Sequence, residues 1–474
     1  MLFVSLDYLL FLPLAVLAYW LSPRRWRLGV MGTASLAFYA SWKLAYLPVV
    51  LGVILVAWAG ALWVARLAQE GRPRTVPRAV VAVGLVVPLL VFKYWNWLSS
   101  DAEAFVRSLG IPFDLPQTTL PLPIGISFFT FQALAYVFDA GRDGKAEANP
   151  WRLGTFVSFF PQLVAGPIVR RDELIPTLRA LPDLCRGQVG AGLWRIARGL
   201  VKKLLIADVV RVGMVDPMFD DPGRFTGLEL LVGLYAFTLQ IYYDFSGYTD
   251  MAIGSARLFG IELPENFRRP YNVTNITAYW RRWHRTLSLW VRHYIYFPLG
   301  GARVRFQARV YLNLLVTFLV LGVWHGASWN FVIYGLVHGS AMCVHRWFRK
   351  RHGRDPEDPS PGGWWGWTWR FVLTFQFVVL ARILFRAPDL GTAWAFAEGL
   401  LHPSAVFPRF APLAWAALAV GYAIHFTPIR WQSEVEDWFR SAGPVRWALV
   451  FAVVATACAL LGTGEQLAFI YYQF

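Results

Sequence analysis

The sequence predicts an all-α polytopic membrane protein, and three observations support this fold class. The chain has 474 residues, of which 57% are hydrophobic and only 16% are charged, whereas soluble domains carry about 25% charged residues. Apolar segments long enough to cross a bilayer recur almost from end to end. The basic residues fall mainly in short loops between these segments. We therefore expect one integral-membrane domain over residues 1–474.

The candidate spans are apolar segments of about 20 residues, the length that a membrane-crossing helix needs. They are residues 3–21, 49–68, 79–98, 190–210, 229–245, 312–330, 331–347, 369–387, 411–428 and 446–463. Segments 28–47, 121–140 and 154–170 contain Pro, Gly or Lys at positions that indicate short, tilted or re-entrant helices. Irregular backbone at membrane depth survives only inside protein or beside a cavity, so the middle of the chain is expected to build a chamber.

The basic balance of the chain points to a membrane and not to nucleic acid. The formal net charge is +16, and its arginines cluster in loops 22–27, 66–78 and 346–354. Short basic loops between spans are typical of the cytoplasmic side of a membrane protein. We therefore expect the chain to contact membrane lipid and not to bind nucleic acid.

The sequence contains no motif that is typical of a metal or cofactor site. The three cysteines, Cys185, Cys343 and Cys458, have no close spacing, so they indicate neither a disulfide framework nor a zinc site. The chain also lacks HExxH, GxSxG and P-loop motifs. The sequence therefore predicts no metal site and no bound cofactor.

A cluster of polar residues interrupts the apolar segment that begins near residue 229. It contains Asp244 and Asp250, and carboxylates at membrane depth usually face a protein interior or a water-filled cavity. The functional interpretation places both near a bound donor. The alternative is that each pairs with a nearby arginine and stabilises helix packing.

Residues 264–309 form the most basic part of the chain, with nine arginines and the single acid Glu265. Within it, Trp280, Trp283 and Trp290 recur at helical spacing, which predicts one amphipathic helix near the cytoplasmic interface. This helix would bind anionic lipid head groups or form a basic mouth for a phosphate-bearing donor. The donor-binding candidates here are Arg281, Arg282, Arg285 and Trp283, and His284 lies among them.

A second informative motif is Trp324-His325-Gly326, late in the apolar segment 312–330. A lone histidine on an apolar face is usually a satisfied core residue. Here the adjacent glycine permits close approach of a backbone or ligand, and Trp324 can exclude water. Imidazole is the side chain best suited to accept a proton near neutral pH, so His325 is a candidate general base.

These motifs, in this order, resemble the membrane-bound O-acyltransferase family. The resemblance covers nearly the whole chain and rests on short motifs. They are residues 121–132, 159–168, 244–250, Asn266-Phe267, 280–288, 296–301, 324–326 and the aromatic stretch 469–474.

The resemblance implies a ring of about 11–13 transmembrane helices around a thinner core with a transmembrane tunnel. It implies that His325 and His284 are the catalytic pair, with Trp324, Asn266, Asp244 and Asp250 among the residues around the donor. It further implies acyl transfer, most simply of acetyl, from a cytosolic thioester such as acetyl-CoA.

The expected acceptor is an alginate-like exported polysaccharide, reached through an extracytoplasmic acetyltransferase partner, and the expected location is the bacterial inner membrane. Three alternatives stay open at this point: an exporter of D-alanine or another acyl group within the same family, a non-enzymatic transporter, and a scaffold that recruits a soluble acetyltransferase.

Overall fold

The computed structural model describes residues 1–164, 166–353, 363–402, 410–464, 467 and 469–470. Within these ranges the chain forms helices, turns and irregular segments, and no strand. Its contacts group into two compact units, Met1–Val189 with Ser255–Pro264, and Gly190–Gly254 with Glu265–Phe474. The all-α prediction is confirmed, whereas a single domain over 1–474 stays a prediction.

In the first part of the chain, the described residues form nine helices. They are α1 (Leu6–Leu21), α2 (Arg24–Ala40), α3 (Leu47–Gln69), α4 (Thr75–Leu89), α5 (Trp95–Ser108), α6 (Ile126–Asp143), α7 (Pro150–Ser158), α8 (Phe160–Leu163) and α9 (Arg171–Ala180). Short 3-10 and π turns at Leu44–Tyr46 and Leu90–Tyr94 lead into α3 and α5.

The second part of the chain contains the residues of both candidate histidine motifs. Its helices are α10 (Arg186–Leu200), α11 (Asp208–Val210), α12 (Asp216–Asp220), α13 (Gly227–Leu258), α14 (Ile276–Arg282), α15 (Arg285–Val291), α16 (Gln307–His325), α17 (Trp329–Arg351), α18 (Gly363–Arg386), α19 (Leu390–Gly399), α20 (Pro412–Phe426), α21 (Ile429–Ser441) and α22 (Pro444–Leu461). Between them lie a 3-10 turn, Pro222–Arg224, and π segments Val201–Ala207, Arg211–Val215 and Arg292–Tyr296.

Five described helical segments are long and apolar enough to cross a membrane. They are Leu44–Gln69, Thr75–Ser108, Gln307–His325, Gly363–Arg386 and Pro444–Leu461. Helices α20 and α21 together give a sixth, bent by 95° at their junction. Each sequence-predicted span contains helix, which fits a polytopic membrane protein, but the count of 11–13 spans, the ring and the tunnel stay predictions.

Helix α6 shows why several predicted spans fall short of full length. Pro121 and Pro123 hold the chain before it in an irregular conformation, and the helix begins only after Gly125, which adopts a left-handed φ of 75°. It ends at Gly144, again left-handed, whose N–H donates to the Ala140 carbonyl at 2.9 Å. Nearly every side chain between these glycines is buried, so α6 is a core helix of the first unit.

In the second unit, α16 and α17 approach each other closely through glycines. A Cβ atom built on Gly335 would lie 2.5 Å from the Phe318 carbonyl oxygen, and one on Gly322 would lie 2.8 Å from the Gly335 Cα. Only glycine permits such a backbone approach, so the pair is held at a fixed separation. Because α16 ends at His325, this packing sets the position of that side chain.

Candidate active site

The basic segment does not form one helix, so that prediction is wrong. Helix α14 ends at Arg282 and α15 begins at Arg285, because His284 between them adopts a left-handed φ of 40°. Such a backbone conformation is strained for a non-glycine residue, and strain of this kind clusters at functional sites. The helical spacing of tryptophan and arginine continues through this break, so the sequence pattern does not reveal it.

Asn266 stabilises this break in the helix. Its carbonyl oxygen accepts the Arg285 N–H at 2.9 Å, and the Arg268 N–H donates to the Arg282 carbonyl at 3.0 Å. The irregular segment 266–268 thus satisfies backbone groups that a helix would have paired internally. His284 and Asn266 are both completely buried and hydrogen-bonded to each other. The structure therefore brings these two sequence-predicted residues together.

The side chain of Asn266 sets the tautomer of His284. The Thr286 N–H lies 3.4 Å and the Thr286 hydroxyl 3.0 Å from Asn266 Oδ1, and a backbone N–H can only donate. The atom facing Thr286 is therefore the amide oxygen, which lies 3.0 Å from His284 Nδ1. An amide oxygen only accepts, so Nδ1 carries the proton and Nε2 is the basic nitrogen of neutral His284.

Trp324 joins the two candidate histidines. Its ring centroid lies 5.9 Å from that of His284 and 5.1 Å from that of His325. The two imidazoles are therefore no farther apart than the sum of these distances. Both side chains are shielded from solvent, since His284 is 0% exposed and His325 is 1% exposed.

An aromatic shell surrounds His325 at the end of α16. The rings of Phe385 at 5.1 Å, Tyr334 at 6.1 Å and Phe331 at 6.3 Å enclose it. The glycine that follows, Gly326, admits the ring of Phe331, because a Cβ atom there would overlap that ring. The predicted close approach at Gly326 is thus made by a neighbouring aromatic side chain.

Arg382 is a buried cation of this site that the sequence analysis did not single out. It is 1% exposed, donates to the Tyr279 hydroxyl at 2.7 Å and to the Tyr334 hydroxyl at 3.4 Å. Its guanidinium carbon lies 4.5 Å from the ring centroid of Trp283. The sequence does show that Arg382 lies inside the apolar segment 369–387. That position could have identified it, because a charged residue at membrane depth is a candidate for function.

Asp250 of α13 forms an ion-pair cluster, which agrees with the alternative that it pairs with nearby arginines. It accepts Arg195 at 2.5 Å, Arg198 at 2.6 Å and Lys202 at 2.7 Å. The helices that carry these residues are held together at Gly199, where a Cβ atom would lie 2.6 Å from the Gly247 carbonyl oxygen. The donor-binding role of Asp250 stays a prediction.

Asp244 forms a second buried cluster, about a turn and a half before Asp250 on α13. Lys203 lies 2.8 Å from Asp244 and 2.7 Å from Asp208, and the Ile470 N–H donates to Asp244 at 2.8 Å. Asp244 thereby binds the last described part of the chain to α13. The rest of the aromatic stretch 469–474 lies outside the described residues.

The three arginines predicted to bind a donor lie around the break, and none has the burial of the histidines. Arg281 is exposed, and Arg282 and Arg285 are half-buried. Arg282 donates to the Asn272 carbonyl at 2.6 Å, so it also stabilises the local backbone. Trp283, by contrast, is 1% exposed and packs against Arg382 inside the unit. Within the described ranges, no three His, Cys, Asp or Glu side chains are grouped to hold a metal ion.

The chain is similar to known proteins over most of its length. The model of the membrane-bound O-acyltransferase family matches residues 4–354. The chain is 37% identical to the "Probable alginate O-acetylase AlgI" of Azotobacter vinelandii over 392 residues, covering 81% of this chain and 74% of that protein. It is 35% identical to the peptidoglycan O-acetyltransferase of Helicobacter pylori over 434 residues, covering 82% and 78%.

A more distant relative carries a different acyl group in its name. The teichoic acid D-alanyltransferase of Bacillus subtilis is 28% identical over 320 residues, which cover 64% of this chain and 76% of that protein. The family match and the identities above 30% confirm the resemblance that the motifs indicated. The chain belongs to the membrane-bound O-acyltransferase family, and it is a membrane-bound acyltransferase.

Proposed function

We propose that this acyltransferase moves an acetyl group from a cytosolic thioester, acetyl-CoA, to an exported polysaccharide, and that it does so in the inner membrane of a bacterium. The observation that carries the proposal is the contact chain from Asn266 through His284 and Trp324 to His325, in which both imidazoles are buried. The names of the bacterial relatives, two of which are O-acetyl-transferring proteins, support the choice of acetyl and of a cell-surface acceptor.

In the proposed reaction, a histidine removes the proton of an acceptor hydroxyl as its oxygen attacks the thioester carbonyl. The new C–O bond forms, the C–S bond breaks, and the CoA thiolate takes up the proton that the histidine accepted. General-base catalysis of this type contributes about 10²–10⁴-fold in rate. We assign the base to His325, and His284, whose Nε2 is basic because Asn266 orients the ring, positions the donor or stabilises developing charge.

The buried site suits this chemistry because the aromatic shell of His325 excludes water that would hydrolyse the thioester. CoA is large and anionic, so only the acyl-bearing arm would enter from the cytoplasmic side. The half-buried guanidiniums of Arg282 and Arg285 would bind its phosphates. An extracytoplasmic partner protein would supply this acceptor hydroxyl and then pass the acetyl ester to a hydroxyl of the polymer, as the family resemblance implies.

The test compares variants of three buried histidines in a strain that lacks the chromosomal copy. His325→Ala and His284→Ala are the test variants, and His425→Ala is the matched control, since His425 is 2% exposed in the same unit but outside the histidine pair. Proton NMR measures the O-acetyl content of secreted polysaccharide and of peptidoglycan. We expect wild type and His425→Ala to restore the acetyl signal and both test variants, at equal membrane levels, to lose it.

Full restoration by His325→Ala would show that His325 is structural and would favour a transporter or a scaffold. The fraction that regains acetyl groups, polysaccharide or peptidoglycan, identifies the acceptor.

D-alanyl transfer is the second candidate, favoured by the similarity to the Bacillus subtilis protein. Membranes that contain the protein are supplied with radiolabelled acetyl-CoA in one arm and with a D-alanyl carrier protein in the other. We expect label to be taken up from acetyl-CoA. Uptake from the carrier protein alone would replace the acetyl assignment with D-alanine.

A further inference from the structure

A groove on the surface of the second unit has no role in the proposed acyl transfer. Its volume is about 860 Å³, within the range of about 300–1,000 Å³ for small-ligand sites. It is lined by α17, by α18 and by the segment that enters α14. Its walls are mostly aliphatic and aromatic side chains that the protein leaves exposed, such as Val344 at 65% and Leu373 at 63%.

The groove has an apolar end and a basic end. At the apolar end lie Ile333, Leu336 and Val337 of α17, and Phe377 of α18 contacts the nearby His338 at 5.2 Å between ring centroids. At the other end lie Arg349 and Arg370. From residue 333 to residue 349 a helix rises about 24 Å, which exceeds the half-thickness of a bilayer's hydrocarbon core, about 15 Å.

Exposed tryptophans mark the basic end as the level of the membrane–water interface. They are Trp347, Trp364, Trp365, Trp367 and Trp369, with exposures between 36% and 77%. Tryptophan is enriched where a helix passes from lipid tails to head groups. The guanidinium of Arg370 stacks against Trp369, with its carbon 5.3 Å from the ring centroid, so the positive charge is held at that level.

The charges of the groove favour an anion. Its charged lining residues are Arg349 and Arg370, it also contains His345, and no Asp or Glu is among the described residues that line it. The last turn of α17 adds Lys350 and Arg351 beside it. Apolar walls that reach into one leaflet and end in guanidiniums at the head-group level match one class of ligand, a phospholipid with an anionic head group.

We propose that this groove is a binding site for one anionic phospholipid, such as phosphatidylglycerol. An acyl chain lies along Leu336, Val337 and Leu373, and the phosphate accepts hydrogen bonds from Arg349 and Arg370. The hydroxyl of Thr277 and His345 Nδ1, 2.8 Å apart, hold α14 against α17 next to this site. The lipid therefore stabilises the packing of α14, the helix that leads into His284, without taking part in acyl transfer.

The test measures lipid retention by the full chain purified in mild detergent. Native mass spectrometry records bound phosphatidylglycerol and, as the zwitterionic comparison with no net charge, phosphatidylethanolamine, each titrated in turn. The test variant is Arg349→Gln with Arg370→Gln. Its matched control is Arg303→Gln with Arg305→Gln, which removes the same charge from exposed positions outside the groove. A third variant, Ala341→Trp, fills the groove without changing any charge.

We expect wild type and the control to bind phosphatidylglycerol, and the Arg349/Arg370 variant to bind it about 25-fold more weakly, because each basic residue near an anionic lipid surface contributes about a fivefold gain and the variant removes two. Ala341→Trp should also lose the adduct. The proposal is overturned if both lipids bind equally, if the control loses affinity as much as the test variant, or if a second protein copy occupies the groove in place of lipid.

Discussion

At the scale of single residues, Asn266 has a defined task. Its side-chain oxygen accepts from Thr286 and from His284 Nδ1, and its backbone oxygen accepts the Arg285 N–H. One residue therefore stabilises both the left-handed turn at His284 and the tautomer of its ring. Asn266 acts through His284 and is a positioning residue for the proposed reaction.

Replacing Asn266 tests that task. Asn266→Ala removes the acceptor of Nδ1–H, so we expect acetyl transfer to fall by about 10–100-fold, the usual effect of losing a partner that orients a functional histidine. Asn266→Asp keeps an oxygen at the same place and should recover most of the lost rate. Both are measured as transfer from labelled acetyl-CoA in membranes, at equal protein level. Equal activity of the two variants would contradict the orienting role.

At the scale of secondary structure, the pair of α16 and α17 positions His325. The helices meet backbone to backbone, because Gly322 and Gly335 leave no room for a Cβ atom between them. Small residues at such contacts are typical of helices packed within a membrane. The sequence shows these glycines, but their partners depend on how the two helices cross.

Gly335→Ala tests this contact. Its methyl group would lie 2.5 Å from the Phe318 carbonyl oxygen, and forcing atoms into a packed core costs about 1–3 kcal/mol. We expect a lower melting temperature in detergent, and a lower transfer rate because α16 carries His325. The matched control is Gly52→Ala in α3, where no atom lies within 4 Å of the new Cβ. An unchanged melting temperature for Gly335→Ala would show that α16 and α17 separate without cost.

At the scale of the whole molecule, charge clusters outside the spans contribute to stability. In the first unit, Glu147 is 5% exposed and pairs with Arg179 at 2.7 Å and with Arg152 at 2.9 Å. Burial by itself would raise the pKa of the Glu147 carboxyl. Hydrogen bonds from Arg179 and from the Asn149 N–H, with the charges of Arg152 and Arg179, outweigh burial and hold this pKa below its ordinary value.

The pH dependence of stability follows from this lowered pKa. A carboxyl whose pKa is lower in the folded state stabilises the fold above its unfolded pKa, about 4.3, and loses this contribution as the pH falls through the folded value. Glu147→Gln should therefore reduce stability at pH 7 by about 1 kcal/mol, and the difference from wild type should shrink as the pH is lowered below 4. Thermal unfolding in detergent from pH 7 to pH 3 measures it.

Glu434→Gln is the control for Glu147→Gln, since Glu434 is exposed. It should leave the pH dependence unchanged. A difference between Glu147→Gln and wild type that persists at the lowest pH would assign the loss to packing and not to the charge of Glu147.

The fold class, the family and the two histidine motifs can all be predicted from the sequence. Membrane character follows from composition and the length of apolar segments, which are local properties, and the motifs around His284 and His325 are contiguous in the chain. The family match and the similar proteins confirmed the fold class and the family.

How these motifs meet depends on tertiary packing. The break at His284 was hidden because tryptophan and arginine spacing continues through it, and only the backbone contacts with segment 266–268 reveal why the helix stops. Arg382 joins Trp283 and Tyr279 from about a hundred residues away. Such contacts depend on helix crossing and long-range packing, which the local pattern of residues does not specify.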